Sequence, residues 1–274
     1  MPYEQILYRV EPPLATITLN RPEKLNAWTL RMGFEVRHAM WQAEHDDRVR
    51  VILVTGAGRG YCAGADMDFL QAVQSGAAEA PEPPAELRVE FDPSLPPALR
   101  GEYSYPLGLS KPVIGVINGV AAGLGASYPL FYDLRIASEQ ARIAFLFPRR
   151  GLIAEHGSSW LLPRLVGLAR AIDLLYSGRF IDAYEAQAIG LVNRVVAHES
   201  LYPEARAWAL ELASQCSPRS LRIIKRQIFT SQFADLESVL READREMVAC
   251  FTTEDFREGV QAFLQKRPPA FTGR

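Results

Sequence analysis

The sequence predicts an α/β fold whose C-terminal part is all helix. Three observations carry the prediction. Short apolar, β-branched runs alternate with helical patterns up to about residue 199, and from Ser200 onward only helical patterns remain. Of the 274 residues 48% are hydrophobic and 23% charged, which is ample for a core and ordinary for a hydrated surface. The length suits one large domain with a small annex, so the chain divides into a core, 1–199, and a helical region, 200–274.

Each element has a local reason. Residues 5–10 (QILYRV) and 14–19 (LATITL) flank Glu11-Pro12-Pro13 and read as a hairpin-like pair of strands. After a polar turn at 20–24, Leu25-Asn26-Ala27-Trp28 leads into a helix over 29–45. Thr29 is its N-cap, and Met32, Val36, Met40 and Trp41 form its apolar stripe. Residues 49–55 (VRVILVT) make a buried strand, followed by the glycine-rich turn 56–66 (GAGRGYCAGAD) and a helix from near Asp66. The stretch 76–100 is rich in Pro, Ala and Glu; a loop this long beside a site is usually a lid or else disordered. Residues 112–117 form an apolar strand that turns at Asn118-Gly119 into small residues, 121–127, which open an apolar helix. Extended segments follow at 134–137 and 141–145, then helices at 158–166 and 169–177. Asp182 caps a further helix that Gly190 ends, and 191–196 is the last strand. The helical region reads as 202–215, 218–231, 236–250 and 253–267.

Composition excludes several classes of function. A net charge of −2 gives no global attraction for nucleic acid or an anionic membrane, so any anionic ligand must be held by local basic residues. Cys62, Cys216 and Cys250 are too widely spaced for a metal cluster or a disulfide framework, and a reduced, cytosolic protein is the economical reading. The opening residues lack the basic start and apolar run of a signal peptide, and no apolar run is long enough to span a bilayer.

Two glycine-rich turns, each running into a helix, are the chemical signals. Gly60 to Asp66 and Gly123-Leu124-Gly125 leave main-chain N–H groups open to close approach, which suits an oxyanion. Either turn alone is explained equally well by tight packing. The first has the spacing G-x-G-x-G rather than the G-x-G-x-x-G of a dinucleotide loop, and no Tyr-x-x-x-Lys pair follows, so a nicotinamide-dependent reductase is disfavoured. Downstream, Glu155 and His156 lie in a glycine-bounded turn, 151–157 (GLIAEHG).

Taken in order, these pieces closely resemble the crotonase (enoyl-CoA hydratase/isomerase) superfamily over nearly the whole chain. They are LNRP with LNA (19–22 and 25–27), GYCAGAD (60–66), KPVIGVING (111–119), Gly123-Leu124-Gly125, Asp133 and Ser177-Gly178-Arg179. Ala183, Glu185, Ala186, Gly190-Leu191-Val192 and a tail with Glu258-Gly259, Phe263 and Lys266-Arg267 complete the match. The resemblance implies a spiral of ββα units with a C-terminal helical trimerisation region, assembled as a trimer or a hexamer. It implies an acyl-CoA thioester substrate, with coenzyme A as part of that substrate and no metal or redox cofactor. By position, the N–H groups of Ala65 and Leu124 form the oxyanion hole. The neighbours Ala63, Gly64, Asp66, Gly123 and Ser127 fall at the thioester. Lys24, Leu25 and Ala27 fall where the family contacts the nucleotide end of CoA. Phe263 and Lys266 fall on the terminal helix, often supplied by a neighbouring subunit.

The sequence departs from the family at its acids. The two glutamates of the best-known hydratases align with Ser127 and Phe147, and neither is a carboxylate. A third acid slot in the superfamily falls on Glu155. A carboxylate beside an apolar acyl pocket has its proton affinity raised toward useful values; the competing reading is that Glu155 caps the 158–166 helix. His156 either tunes Glu155 or bonds to the backbone. Arg59 and Tyr61 are further candidates for the pocket, whereas Trp160 reads as core. The expected chemistry is enoyl-CoA hydratase/isomerase with a single acid, which favours moving a double bond. A thioester hydrolase or C–C lyase on the same fold stays open, as does a non-catalytic acyl-CoA-binding paralogue.

Overall fold

The computed structural model describes residues 3–77 and 82–274. Strands β1 (Ile6–Glu11) and β2 (Leu14–Leu19) form the expected antiparallel hairpin, with Ile6 opposite Leu19. Helix α1 (Leu30–His45) starts where Thr29 Oγ1 accepts the Met32 N–H at 3.0 Å. Then come β3 (Val51–Gly56), β4 (Gly60–Cys62) and α2 (Met67–Gln74), whose N-cap Asp66 accepts from Asp68 N. The next elements are β5 (Val113–Ile117), β6 (Val120–Ala122), α3 (Leu124–Ser127), β7 (Leu134–Ser138) and β8 (Arg142–Ala144). After them lie α4 (Ser158–Val166), α5 (Leu168–Ser177), β9 (Ile181–Asp182), α6 (Ala183–Ala188) and β10 (Arg194–Val196). Four helices end the chain: α7 (Leu201–Gln215), α8 (Pro218–Thr230), α9 (Leu236–Cys250) and α10 (Glu254–Gln265).

Successive strands are dealt to two sheets. The larger has the order β1-β2-β3-β5-β7-β10 and is parallel beyond the hairpin; the smaller is β4-β6-β8-β9. The pairs β3/β4, β5/β6 and β7/β8 therefore each contribute one strand to each sheet, which is the spiral of ββα units. A short tight turn inside each pair brings the ends of β4 and β6 side by side, and the site is built there.

Several segments differ from expectation: Gly60–Cys62, expected within a turn, form β4. Residues 121–127 do not all open a helix. Val120–Ala122 pair with β4 and β8, Gly123 then takes φ +53, ψ −122, and only one α-helical turn follows before a 3-10 turn at Tyr128–Phe131. The last strand is shorter than 191–196, because the N–H groups of Leu191 and Val192 fold back to Ala186 O (2.8 and 3.2 Å) to close helix α6.

Helix α7 covers one face of the larger sheet. Its buried residues Leu201, Ala205, Ala209 and Ala213 recur every four positions and meet Val51, Leu53, Ile114, Val116 and Ile136. The alanines let the helix lie close to the sheet, and each large aliphatic side chain buried there contributes about 1.5–3 kcal/mol. On the other face, α1 packs Met32, Val36, Ala39, Met40 and Ala43 against the main core. Residues 82–100, the described part of the Pro-rich stretch, lie against α1: Leu87 and Leu99 are buried, and Trp41 Nε1 donates to Glu90 O at 3.0 Å. Residues 78–81 of that stretch lie outside the described residues. Among the described residues no helix is long and apolar enough to cross a membrane.

Candidate active site

Small residues put two turns in main-chain contact. A Cβ on Gly125 would stand 2.0 Å from Cys62 O, so the first turn of α3 lies directly on β4. Gly64 (φ +103) and Gly123 (φ +53) face each other, and a Cβ on Gly64 would reach 2.8 Å from Ala122 O and 3.8 Å from Gly123 Cα. The amides around them are spent: Trp28 N donates to Gly64 O, Asp66 N to Trp28 O, and Gly123 N to Ala144 O. The N–H groups of Ala65 and Leu124 have no acceptor among the described residues. Leu124 heads its helix, where an intrahelical partner is impossible.

Ala65 and Leu124 both line one cavity of about 530 Å³, whose walls include Trp28, Leu30, Phe147, Ile153, Glu155 and His156. Glu155 reaches it from the turn before α4, where its carbonyl accepts from Ser158 N (3.0 Å) and Ser158 Oγ (2.7 Å). That turn needs positive φ at His156 (+51) and Gly157 (+73). The Glu155 carboxylate is 3.5 Å from His156 Nε2, and the His156 ring lies against Tyr103 with centroids 4.0 Å apart. Burial is the main cause that pulls the His156 pKa below its ordinary value, against the opposing pull of Glu155 and Glu102. Burial likewise raises the Tyr103 phenol, helped by the carboxylates of Glu102 and Glu155. Glu102 lines the same cavity, so the site holds a second carboxylate beside Glu155. Among the described residues, no group of three or more His, Cys, Asp or Glu is disposed to hold a metal ion.

Sequence and fold match one set of known proteins. Residues 10–274 match the family model for enoyl-CoA hydratase/isomerase. The chain belongs to that family. It is 39% identical over 272 residues to a protein of Escherichia coli named 1,2-epoxyphenylacetyl-CoA isomerase, with 99% of each chain covered. It is 38% identical over the full length of both chains to one from Rhodobacter capsulatus named "Probable enoyl-CoA hydratase". Among solved structures, the enoyl-CoA hydratase from Bacillus anthracis superposes with a TM-score of 0.84 at 30% identity, covering 99% of this chain and 100% of that one.

The other family positions are distributed unevenly. Ser127 is fully buried and does not line the cavity, its hydroxyl donating to Leu124 O at 3.3 Å, while Phe147 forms apolar wall. Asp66 does not line the cavity; it caps α2 and pairs with Arg21 at 2.7 Å. Burial acts against its charge, yet the Arg21 guanidinium and the Asp68 amide outweigh it and hold the carboxyl below the usual range. Ala63 N donates to Leu25 O at 3.0 Å, which docks the loop carrying Lys24, Leu25 and Ala27 beside the Gly64 turn. The Lys24 ammonium is half exposed, 3.7 Å from Asp68. Arg59 is exposed, and Tyr61 is core, its hydroxyl 3.4 Å from that of Tyr132. Trp160 stacks on Phe233 away from the cavity. Phe263, 83% exposed, and Lys266 stand on α10 and its C-cap and touch no part of this cavity. Sequence reasoning missed Glu102 and Tyr103, which no motif marks, and it read Trp28 only as the lead into α1.

Proposed function

We propose that this family member moves a double bond within an acyl-CoA thioester. The thioester oxygen accepts hydrogen bonds from the Ala65 and Leu124 amides. Glu155 takes the α-proton of a β,γ-unsaturated substrate as the electron pair moves onto that oxygen. Return of the proton at the γ-carbon then leaves the α,β isomer. The observation that carries the reading is that Ala65 and Leu124, whose amides have no acceptor among the described residues, line the same cavity as Glu155. Each amide bonds the oxygen more strongly as it gains enolate charge, which is the condition for lowering a barrier, and is worth about 3 kcal/mol. Ser127 and Phe147 at the usual acid positions leave no pair of glutamates there to hold a water, which favours isomerisation over hydration. The 39%-identical relative named as an isomerase supports the same choice.

The chain works as a cytosolic homotrimer or dimer of trimers in this reading. Lys24, Leu25 and Ala27 meet the nucleotide end of CoA from the same subunit, and Lys266 and Phe263 from a neighbour. Exposed apolar side chains on α9 and α10 (Leu236, Leu240, Val248, Val260, Phe263 and Leu264) support such an assembly.

The test is turnover of 3-enoyl-CoA in deuterated water. Deuterium at the α- or γ-carbon of a 2-enoyl product, with no hydroxyl added, is the expected result. Glu155→Gln should lose about 10²–10⁴ in kcat, and Glu102→Gln markedly less. A 3-hydroxyacyl product would replace isomerisation by hydration, and an active Glu155→Gln would remove Glu155 from the mechanism.

A further inference from the structure

Glu155 and His156 are consecutive residues, yet both line the same cavity. In a helix or a strand, neighbours along the chain point to different sides and do not meet. Here the backbone brings them together. His156 takes φ +51 and Gly157 φ +73, so the chain coils left-handed just after Glu155. Most side chains are disfavoured there, and histidine is among the few that are enriched. The outcome is that His156 Nε2 stands 3.5 Å from Glu155 Oε2.

The main chain of Glu155 is pinned by Ser158, but its carboxylate is not. Among the described residues the carboxylate accepts no other hydrogen bond, and its one ionic contact is with His156. A glutamate free to turn about its side-chain bonds samples many directions, and holding it in one of them is worth rate. The His156 ring is itself held. It lies against Tyr103, centroids 4.0 Å apart, and Tyr103 meets the buried Tyr128 edge-on at 6.2 Å. Three rings therefore run from the core to the carboxylate. Burial favours the uncharged form of His156. An uncharged ring with its proton on Nε2 donates to Glu155 and leaves it a base, whereas an imidazolium there would lower its proton affinity. A contact of 3.5 Å is long, as catalytic hydrogen bonds often are before substrate binds.

We infer that His156 is the positioning residue for Glu155: its Nε2–H aims the carboxylate at the α-proton of the substrate, and Tyr103 holds the ring that carries it. The inference rests on the function proposed above and concerns how that same site is held ready.

Two amide replacements separate this role from a role in shaping the turn. Glutamine carries an amide N–H about as far out as Nε2 but fits positive φ poorly; asparagine suits positive φ, but its amide stops near the Nδ1 position. In turnover of 3-enoyl-CoA, His156→Asn should lose about tenfold to a hundredfold in kcat with KM little changed, and His156→Gln should stay within about threefold of the wild type. A residue that only shapes the turn gives the reverse order. The pH profile is a second readout. Charging the wild-type ring turns the donor into an ion-pair partner, so wild-type kcat falls as pH drops through the ring's titration. His156→Gln, whose amide takes no proton, should hold its rate to lower pH. The other ionisable groups on the cavity, Glu155, Glu102, Tyr103 and Arg150, are the same in both proteins. Tyr103→Leu should lower kcat in the wild type and add little in His156→Asn; losses that add in full would remove Tyr103 from the arrangement. His156→Asn as fast as the wild type, His156→Gln no better than His156→Asn, or coincident acid limbs would each overturn the inference while leaving the proposed function standing. A wild-type protein that moves no double bond, or turnover that survives in Glu155→Gln, removes both.

Discussion

Glu155 and His156 are adjacent residues with opposite demands. The carboxylate faces a cavity where charge is useful, whereas His156 packs on Tyr103 and is held neutral by burial. His38, hydrogen-bonded through Nδ1 to Tyr3 at 2.7 Å, is also shifted downward by burial. For both groups the folded pKa lies below the unfolded value of about 6.5. As pH falls through that value the unfolded chain takes up protons that the native chain refuses, so stability is full above about 6.5 and is lost below it. The slope is at most about 1.4 kcal/mol per pH unit for each histidine. Urea midpoints should therefore drop between pH 7.5 and 5.5, and His156→Asn, which tolerates the positive φ, should flatten part of the drop. A midpoint that holds or rises over that interval would refute the account. At this scale the sequence was legible where the main chain itself is left open: a glycine precedes each amide that has no acceptor among the described residues, at Gly64-Ala65 and Gly123-Leu124. Glu102 and Tyr103 left no such mark, because their place in the cavity depends on how 82–105 folds over α1.

Among the elements, the Pro-rich stretch shows how composition underdetermines packing. Few apolar residues and many prolines read as lid or disorder, yet the few are used: Leu87 and Leu99 are each 2% exposed, and Arg37 lies 4.9 Å from the Phe91 ring centre. Pro83, Leu87, Arg88, Val89 and Glu90 therefore wall a cavity of about 720 Å³ beside α1 from an anchored position. Leu87→Ala should cost about 2–3 kcal/mol, the low end for a buried leucine because one side of it already borders open space. Urea unfolding measures this, and a cost under about 0.5 kcal/mol would mean that the segment is only draped on α1. The regular elements were legible for the opposite reason. Thr29, Asp66, Ser217, Asp235 and Thr253 each accept a backbone N–H at a helix start, and caps of this kind are local. Strand β6 was missed because Val120–Ala122 is only three residues long and is defined by its partners β4 and β8, which lie far away in sequence.

For the whole molecule, the decisive fact is where the tail is fastened. Asp255, buried, accepts from Ser217 Oγ, Thr272 N and Gly273 N, and Arg50 Nη2 donates to Phe271 O. These bonds lock α10 to the α7–α8 turn and the terminal residues to the start of β3, and Lys266 does not line the cavity of Ala65, Leu124 and Glu155. In the assembly proposed above, Lys266 serves a neighbour's site. Lys266→Ala should then raise KM about tenfold, the scale of one charge-assisted hydrogen bond, with kcat little changed. Glu155→Gln should lose about 10²–10⁴ in kcat with Lys266 intact. Denaturing the two variants together and refolding them as mixed oligomers creates sites that pair a native Glu155 from one subunit with a native Lys266 from the other. A fraction of sites with wild-type KM should appear in the mixture and in neither parent. If the mixture shows only the average of its parents, Lys266 acts within its own subunit or not at all, and the tail's fastening is a matter of stability alone.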